Sequence, residues 1–245
     1  MANGTLVLLS CTAFSYVMNS MAPTAKLLKP YTGADEAVLV STLCFVYLML
    51  FSSPAFSKLS RGANGSMNSS GILISWFTGK QSTMKFLLET VLCVTGTYFG
   101  LFLLALTLQY FPVEGMSFEP LSASGGRYYG FVTEAVATFV IFGMDRVVKG
   151  ISGAQTYILV SAAYVAASHY EGCTYSCTII NPASAISLQL HKEGLQGLFT
   201  LGVWEELFPY VFGALTGAVL LGLVNVLYPP PPPRPTSVEN LKKTI

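Results

Sequence analysis

Two asparagines, 113 residues apart, are the residues of this sequence best placed to build a polar site. Each opens a triplet of small or polar residues: Asn68, Ser69 and Ser70 in the first half, and Asn181, Pro182 and Ala183 in the second. Asn is a strong N-cap, and Pro at the first helical position sacrifices no hydrogen bond, so a helix is predicted to start after Asn181. Since Ser also tolerates a helix start, the first triplet predicts a second one.

The segments that follow these asparagines, 69–80 and 182–197, are weakly apolar and too short to cross a bilayer. They occupy matching places in the two halves of the chain. Short interrupted segments at matching positions indicate an inverted repeat with a polar site between its halves. The alternative is a pair of amphipathic surface helices.

The composition predicts that these segments lie in a membrane protein. Of 245 residues, 52% are hydrophobic and only 10% are charged, whereas soluble domains carry about 25% charged residues. An ordinary soluble enzyme is therefore excluded. With 13 basic against 12 acidic residues, we expect no basic surface for nucleic acid. The five cysteines are scattered, so we predict neither a disulfide framework nor a metal site, and no cofactor.

Six apolar stretches are long enough to span a bilayer as helices. They are 6–24, 37–56, 86–111, 128–148, 151–169 and 201–228. The fifth is the weakest prediction because it is short and ends in polar residues.

These spans predict one transmembrane domain over 1–228, with repeats at about 1–115 and 126–228. A proline-rich tail follows over 229–245. The tail's five-proline run either forms a stiff extension or binds an aromatic-lined groove in a partner. Six spans would put both termini on one side of the membrane. Nine of the thirteen Lys and Arg residues would lie on that same side. That excess favours termini on the inside.

The intact triplet at Asn181, the altered triplet at Asn68 and a glutamate in the fourth span, Glu134, together resemble the aquaporin (major intrinsic protein) family. The departures are similar to those of its divergent intracellular members, called unorthodox aquaporins or superaquaporins. The resemblance implies an all-α membrane fold with six transmembrane helices and two re-entrant half-helices in an inverted repeat. It also implies that the two asparagines meet in mid-membrane and that an intracellular membrane is the favoured location.

The resemblance also implies a selectivity filter. His169 lies twelve residues before Asn181, at the family's spacing for the filter histidine, and Thr178 matches the filter residue of the loop. Leu48 matches the filter residue of the second span, with Tyr47 as the register alternative. Ser184 stands where most members have an arginine. The alternative for His169 is a helix-end histidine that faces water.

Acidic residues in the spans carry a further expectation. A lone acid inside a membrane is costly and is expected to have a partner, and the resemblance implies that Glu134 braces a re-entrant loop. Glu89 falls where many members carry Gln, or else it is a helix-end residue that reaches the interface. The first span, 6–24, lacks the matching glutamate, which leaves the packing of the first loop open.

A channel for water or small neutral solutes is therefore the predicted function, in a lipid bilayer and, as the resemblance implies, as a homotetramer. The alternative is a non-conducting scaffold or accessory subunit of a larger membrane complex, with a pore plugged by Leu48, Tyr47 or Met67. A transporter would need more charged residues in mid-membrane than Glu134 and Glu89 supply. An enzyme is not predicted, since the histidines are only His169 and His191.

Overall fold

The computed structural model describes residues 4–51, 67–113, 126–151 and 179–229. Within these ranges every regular element is a helix. The elements are α1 (Gly4–Thr32), α2 (Glu36–Phe51), α3 (Ser69–Phe77), α4 (Thr83–Tyr110), α5 (Gly126–Ile151), α6 (Pro182–Gly197), α7 (Leu201–Phe208) and α8 (Ala214–Leu227). A π-helical turn, Pro209–Gly213, joins α7 to α8 without a break.

Three helical stretches in the described ranges are long and apolar enough to cross a membrane: α1, α4 and the continuous stretch Leu201–Leu227. They correspond to the first, third and sixth predicted spans. Helix α5 covers the predicted fourth span, and α2 covers most of the second. The predicted fifth span, 151–169, lies outside the described residues apart from Ile151, so the count of six stays a prediction.

Helix α1 packs closely on α4 because two glycines of α4 remove the side chains that would keep the backbones apart. A Cβ built on Gly96 would lie 2.7 Å from Cys11 Cβ, and one on Gly100 would lie 2.5 Å from the Thr12 carbonyl oxygen. Small residues spaced four apart let membrane helices approach in this way. The Ser15 hydroxyl adds a hydrogen bond of 2.9 Å to the carbonyl oxygen of Thr97.

The second half repeats this packing between α5 and the stretch that ends in α8. Gly213 faces the Phe131 carbonyl oxygen and Glu134 Cβ, and Gly217 faces the Ala135 carbonyl oxygen. The glycines are again four residues apart, and their contacts follow the same spacing along the partner helix. The two halves therefore share one packing register, although their side chains differ.

The short helices α3 and α6 each pack against the opposite half. In α6, the Ser187 hydroxyl donates to the Val94 carbonyl oxygen of α4 at 2.9 Å. In α3, Phe77 lies against Gly222 of α8. This exchange brings the N-terminal ends of α3 and α6 together in the interior.

Candidate functional site where the two short helices meet

Asn68 and Asn181 cap the two short helices, as their sequence neighbours predict. Asn68 Oδ1 accepts a hydrogen bond of 2.9 Å from the Ser70 N–H, and Asn181 Oδ1 accepts one of 3.2 Å from the Ala183 N–H. Both asparagines have extended backbone conformations, and α3 and α6 begin at the residues that follow. Each side chain thus satisfies one N–H that a helix start leaves unpaired.

The same two side chains also bind the opposite half. Asn68 Nδ2 donates to the Ile180 carbonyl oxygen at 3.1 Å, and Asn181 Nδ2 donates to the Met67 carbonyl oxygen at 3.3 Å. Each acceptor is the residue just before the other asparagine, so the arrangement is reciprocal. An amide NH₂ group has two hydrogens. One N–H of each asparagine is therefore left over from these contacts.

The serines of the altered triplet lie in this interface, and both are buried. The Ser70 hydroxyl donates to the Ile180 carbonyl oxygen at 3.1 Å, and the Ser69 hydroxyl contacts the Asn181 side chain at 3.0 Å. Pro182 and Ala183 are also buried and form the first turn of α6. All six triplet residues are thus gathered at one meeting point.

Ile180 is a site residue that no sequence pattern singles out. Its φ of 47° is in the left-handed region, which is costly for a β-branched side chain. Both oxygens of Glu134 accept hydrogen bonds here: Oε1 from the Ile179 N–H at 2.9 Å and Oε2 from the Ile180 N–H at 2.7 Å. Glu134 is fully buried. Together with the two donors to its carbonyl oxygen, these bonds hold Ile180 in the strained conformation.

In the first half, Cys11 takes the place that corresponds to Glu134. Glu134 Cβ faces Gly213 as Cys11 Cβ faces Gly96, and the neighbouring contacts of both glycines match in register. Cys11 and Cys93 lie in one buried cluster with Ile72. The Cys93 thiol donates to the Met67 carbonyl oxygen at 3.6 Å. The residue just before Asn68 is therefore contacted by a weak thiol donor, whereas the residues just before Asn181 bind a carboxylate.

The predicted filter residues are placed only in part. Ser184 is half-buried in the first turn of α6, where its N–H donates to the Asn181 carbonyl oxygen at 2.9 Å. His169, Thr178 and the side chain of Leu48 lie outside the described residues. Tyr47, the register alternative to Leu48, is buried beside Phe14 with ring centroids 6.5 Å apart. The filter as a whole stays a prediction.

Charged residues of the described ranges lie mainly near helix ends. Glu89 is 2% exposed and forms an ion pair of 3.6 Å with Lys85 in the first turns of α4. Arg127 pairs with Glu205, and Lys192 lies 3.9 Å from Glu206. These ion pairs bring the start of α5, helix α7 and the later part of α6 close together. In these ranges, His, Cys, Asp and Glu do not gather in threes that could hold a metal ion.

Comparison with solved structures gives the fold. The chain is similar to the X-ray structure of the aquaglyceroporin from Plasmodium falciparum, with a TM-score of 0.63 and 12% sequence identity over 100% of this chain and 99% of that one. The fold is aquaporin-like. No protein-family model matches the chain, and no curated protein matches it significantly. With its apolar helices, the aquaporin-like fold makes the chain an integral membrane protein.

Proposed function

We propose that the chain is a membrane channel that passes water and small neutral solutes between Asn68 and Asn181. The reciprocal hydrogen bonds of these two amides carry the proposal, because they bring two helix starts together and leave one N–H of each amide for a passing molecule. The aquaporin-like fold supports it.

The electrostatics of the meeting point support a path for neutral molecules. Two helix N-termini meet there, and each carries the positive end of its helix dipole. The resulting field repels cations, including protons, while an amide N–H binds the oxygen of water or of an alcohol. Glu134 is an acid that lies near this meeting point, and both oxygens of its carboxylate accept hydrogen bonds from backbone N–H groups.

The finer architecture belongs to the same proposal. Six membrane spans and two re-entrant half-helices, α3 and α6, form two repeats within 1–228. Leu48, His169, Thr178 and Ser184 form the filter. Because Ser184 stands where most members have an arginine, the outer mouth is wider and uncharged, and it admits glycerol, urea, ammonia or peroxide as well as water. The channel is a homotetramer in an intracellular membrane, with its termini on the inside.

Solute flux through the purified protein tests this proposal. In liposomes, the protein should accelerate osmotic shrinkage followed by light scattering, and it should accelerate re-swelling with glycerol or urea. Asn181→Asp replaces the amide donor by a charge and should return the rates to those of empty liposomes. Gln196→Glu makes the same amide-to-acid change at an exposed position near the end of α6 and should leave them unchanged.

If the wild-type protein accelerates neither osmotic shrinkage nor re-swelling with any of these solutes, the channel proposal is wrong. The scaffold alternative would then explain the same fold. The comparison requires equal reconstituted amounts of each variant, measured by quantitative gel analysis of the same vesicles.

A further inference from the structure

The two asparagine amides are held unequally. Asn181 Oδ1 accepts three hydrogen bonds: from the Ser69 N–H at 3.1 Å, from the Ser69 hydroxyl at 3.0 Å and from the Ala183 N–H at 3.2 Å. In the described part of the chain, Asn68 Oδ1 accepts one, from Ser70. Asn181 is therefore the more firmly oriented of the two.

The inequality follows from the residue after each asparagine. Ser69 has both an N–H and a hydroxyl to offer to Asn181. The corresponding residue in the other half, Pro182, has no N–H and no hydroxyl, so it has nothing to donate to Asn68. The altered first triplet thus adds contacts between the halves that Pro at position 69 could not make.

The Ser69 hydroxyl also acts as an acceptor, because the Ala183 N–H lies 3.0 Å from its oxygen. One buried hydroxyl therefore joins the Asn181 side chain to the first turn of α6. If the Asn181 amide turned over, its NH₂ group would face the backbone N–H groups of Ser69 and Ala183, and the bond from Nδ2 to Met67 would be lost as well. Only one orientation of this amide satisfies its neighbours.

We propose that Ser69 is a positioning residue that holds Asn181 with its carbonyl oxygen in the protein and its N–H toward the path, so that solutes meet Asn181 as a donor only. This inference rests on the proposed channel function. A passing molecule must then offer an acceptor, as water, glycerol and urea do. A water molecule bound there cannot donate to Asn181, so a continuous chain of hydrogen bonds for proton transfer is interrupted.

Two measurements test this role on the full-length protein. The first is proton flux into liposomes that contain a pH-sensitive dye, measured beside water permeability. The second is the ¹⁵N solid-state NMR signal of Asn181 Nδ2, assigned by its loss in Asn181→Asp. The NMR measurement does not depend on conduction, so it tests Ser69 even if the channel proposal fails.

Ser69→Ala removes the hydroxyl from Asn181 and from Ala183. Since one hydrogen bond contributes about 0.5–1.5 kcal/mol, other amide orientations should gain roughly twofold to tenfold in population. Proton flux relative to water flux should rise by a similar factor, and the NMR signal should shift because the hydroxyl no longer contacts the amide. Ser69→Thr keeps the hydroxyl and should restore both readouts.

Ser187→Ala is the matched control, because it removes a buried hydroxyl that joins α6 to the opposite half through the Val94 carbonyl oxygen and does not contact Asn181. It should leave the Asn181 signal and the proton-to-water ratio unchanged. The inference is overturned if Ser69→Ala and Ser187→Ala give the same signal and the same ratio. It is also overturned if Ser69→Thr behaves like Ser69→Ala.

Discussion

Substitutions of Glu134 are expected to destabilise the two residues just before Asn181, and Glu134→Ala should do so more than Glu134→Gln. In Glu134→Gln, the side-chain NH₂ group faces one of the two backbone donors, Ile179 or Ile180, which then loses its acceptor. An unpaired buried N–H costs about 1–3 kcal/mol. Glu134→Ala removes both acceptors and should cost about 2–6 kcal/mol. That is a large part of the 5–15 kcal/mol typical of a folded domain.

The strained backbone of Ile180 also affects the free energy of unfolding. Its φ of 47° costs a non-glycine residue about 1–3 kcal/mol, and the bonds to Glu134 help to hold it. Ile180→Gly removes the steric part of that strain. It also removes a side chain that is only 9% exposed, and loss of such a side chain costs about 2–5 kcal/mol. Ile180→Gly should therefore destabilise the protein by about 1 kcal/mol less than the lost burial alone predicts.

Thermal unfolding in detergent, with water permeability measured on the same preparations, gives both readouts. The unfolding midpoint should fall from wild type to Glu134→Gln and further to Glu134→Ala, and permeability should fall in the same order. Glu205→Gln is the control, since its partner is the exposed Arg127 and such surface pairs contribute about 0–1 kcal/mol. If Glu134→Ala matches Glu205→Gln in both measurements, the assigned role of Glu134 is refuted.

Three further substitutions extend these tests. Gly217→Ala places a Cβ against the carbonyl oxygen of Ala135, so it should destabilise the protein by about 1–3 kcal/mol; Gly202→Ala, in open space, should be neutral in the same unfolding assay. Cys93→Ala removes a long thiol contact and one buried sulfur atom from the cluster with Cys11 and Ile72, so it should cost about 1–2 kcal/mol; a loss as large as that of Glu134→Ala would contradict this. Ser184→Arg adds a fixed charge at the proposed filter and should reduce glycerol flux more than water flux in liposomes; equal reductions would argue against that placement.

Much of the fold follows from local sequence signals. The low charge and long apolar stretches predict an all-helical membrane protein, and the resemblance carried by the asparagine triplets predicts an aquaporin-like arrangement. Both predictions are confirmed by the helices and by the similarity to the aquaglyceroporin structure. The helix starts at Ser69 and Pro182 also lie where the triplets predict them.

The missing glutamate of the first span shows what the sequence could not resolve. The sequence showed that the glutamate was absent but did not show which residue takes its place. Helix α1 contains several small polar side chains, and the sequence gives no register of α1 against α4. The close contacts of Gly96 identify Cys11 as the residue in the corresponding place. The signal in the sequence was the pair of glycines four residues apart, which occurs in both halves.

The sequence by itself determined the membrane environment, the apolar helices and the two capped helix starts, because these depend on hydropathy and on residues within one turn. Only the tertiary structure decided which groups Asn68, Ser69 and Asn181 contact, since these hydrogen bonds join residues 112 to 114 positions apart. It also decided the left-handed conformation of Ile180. A buried polar group takes its partner from whatever the fold places beside it, and no local pattern records that partner.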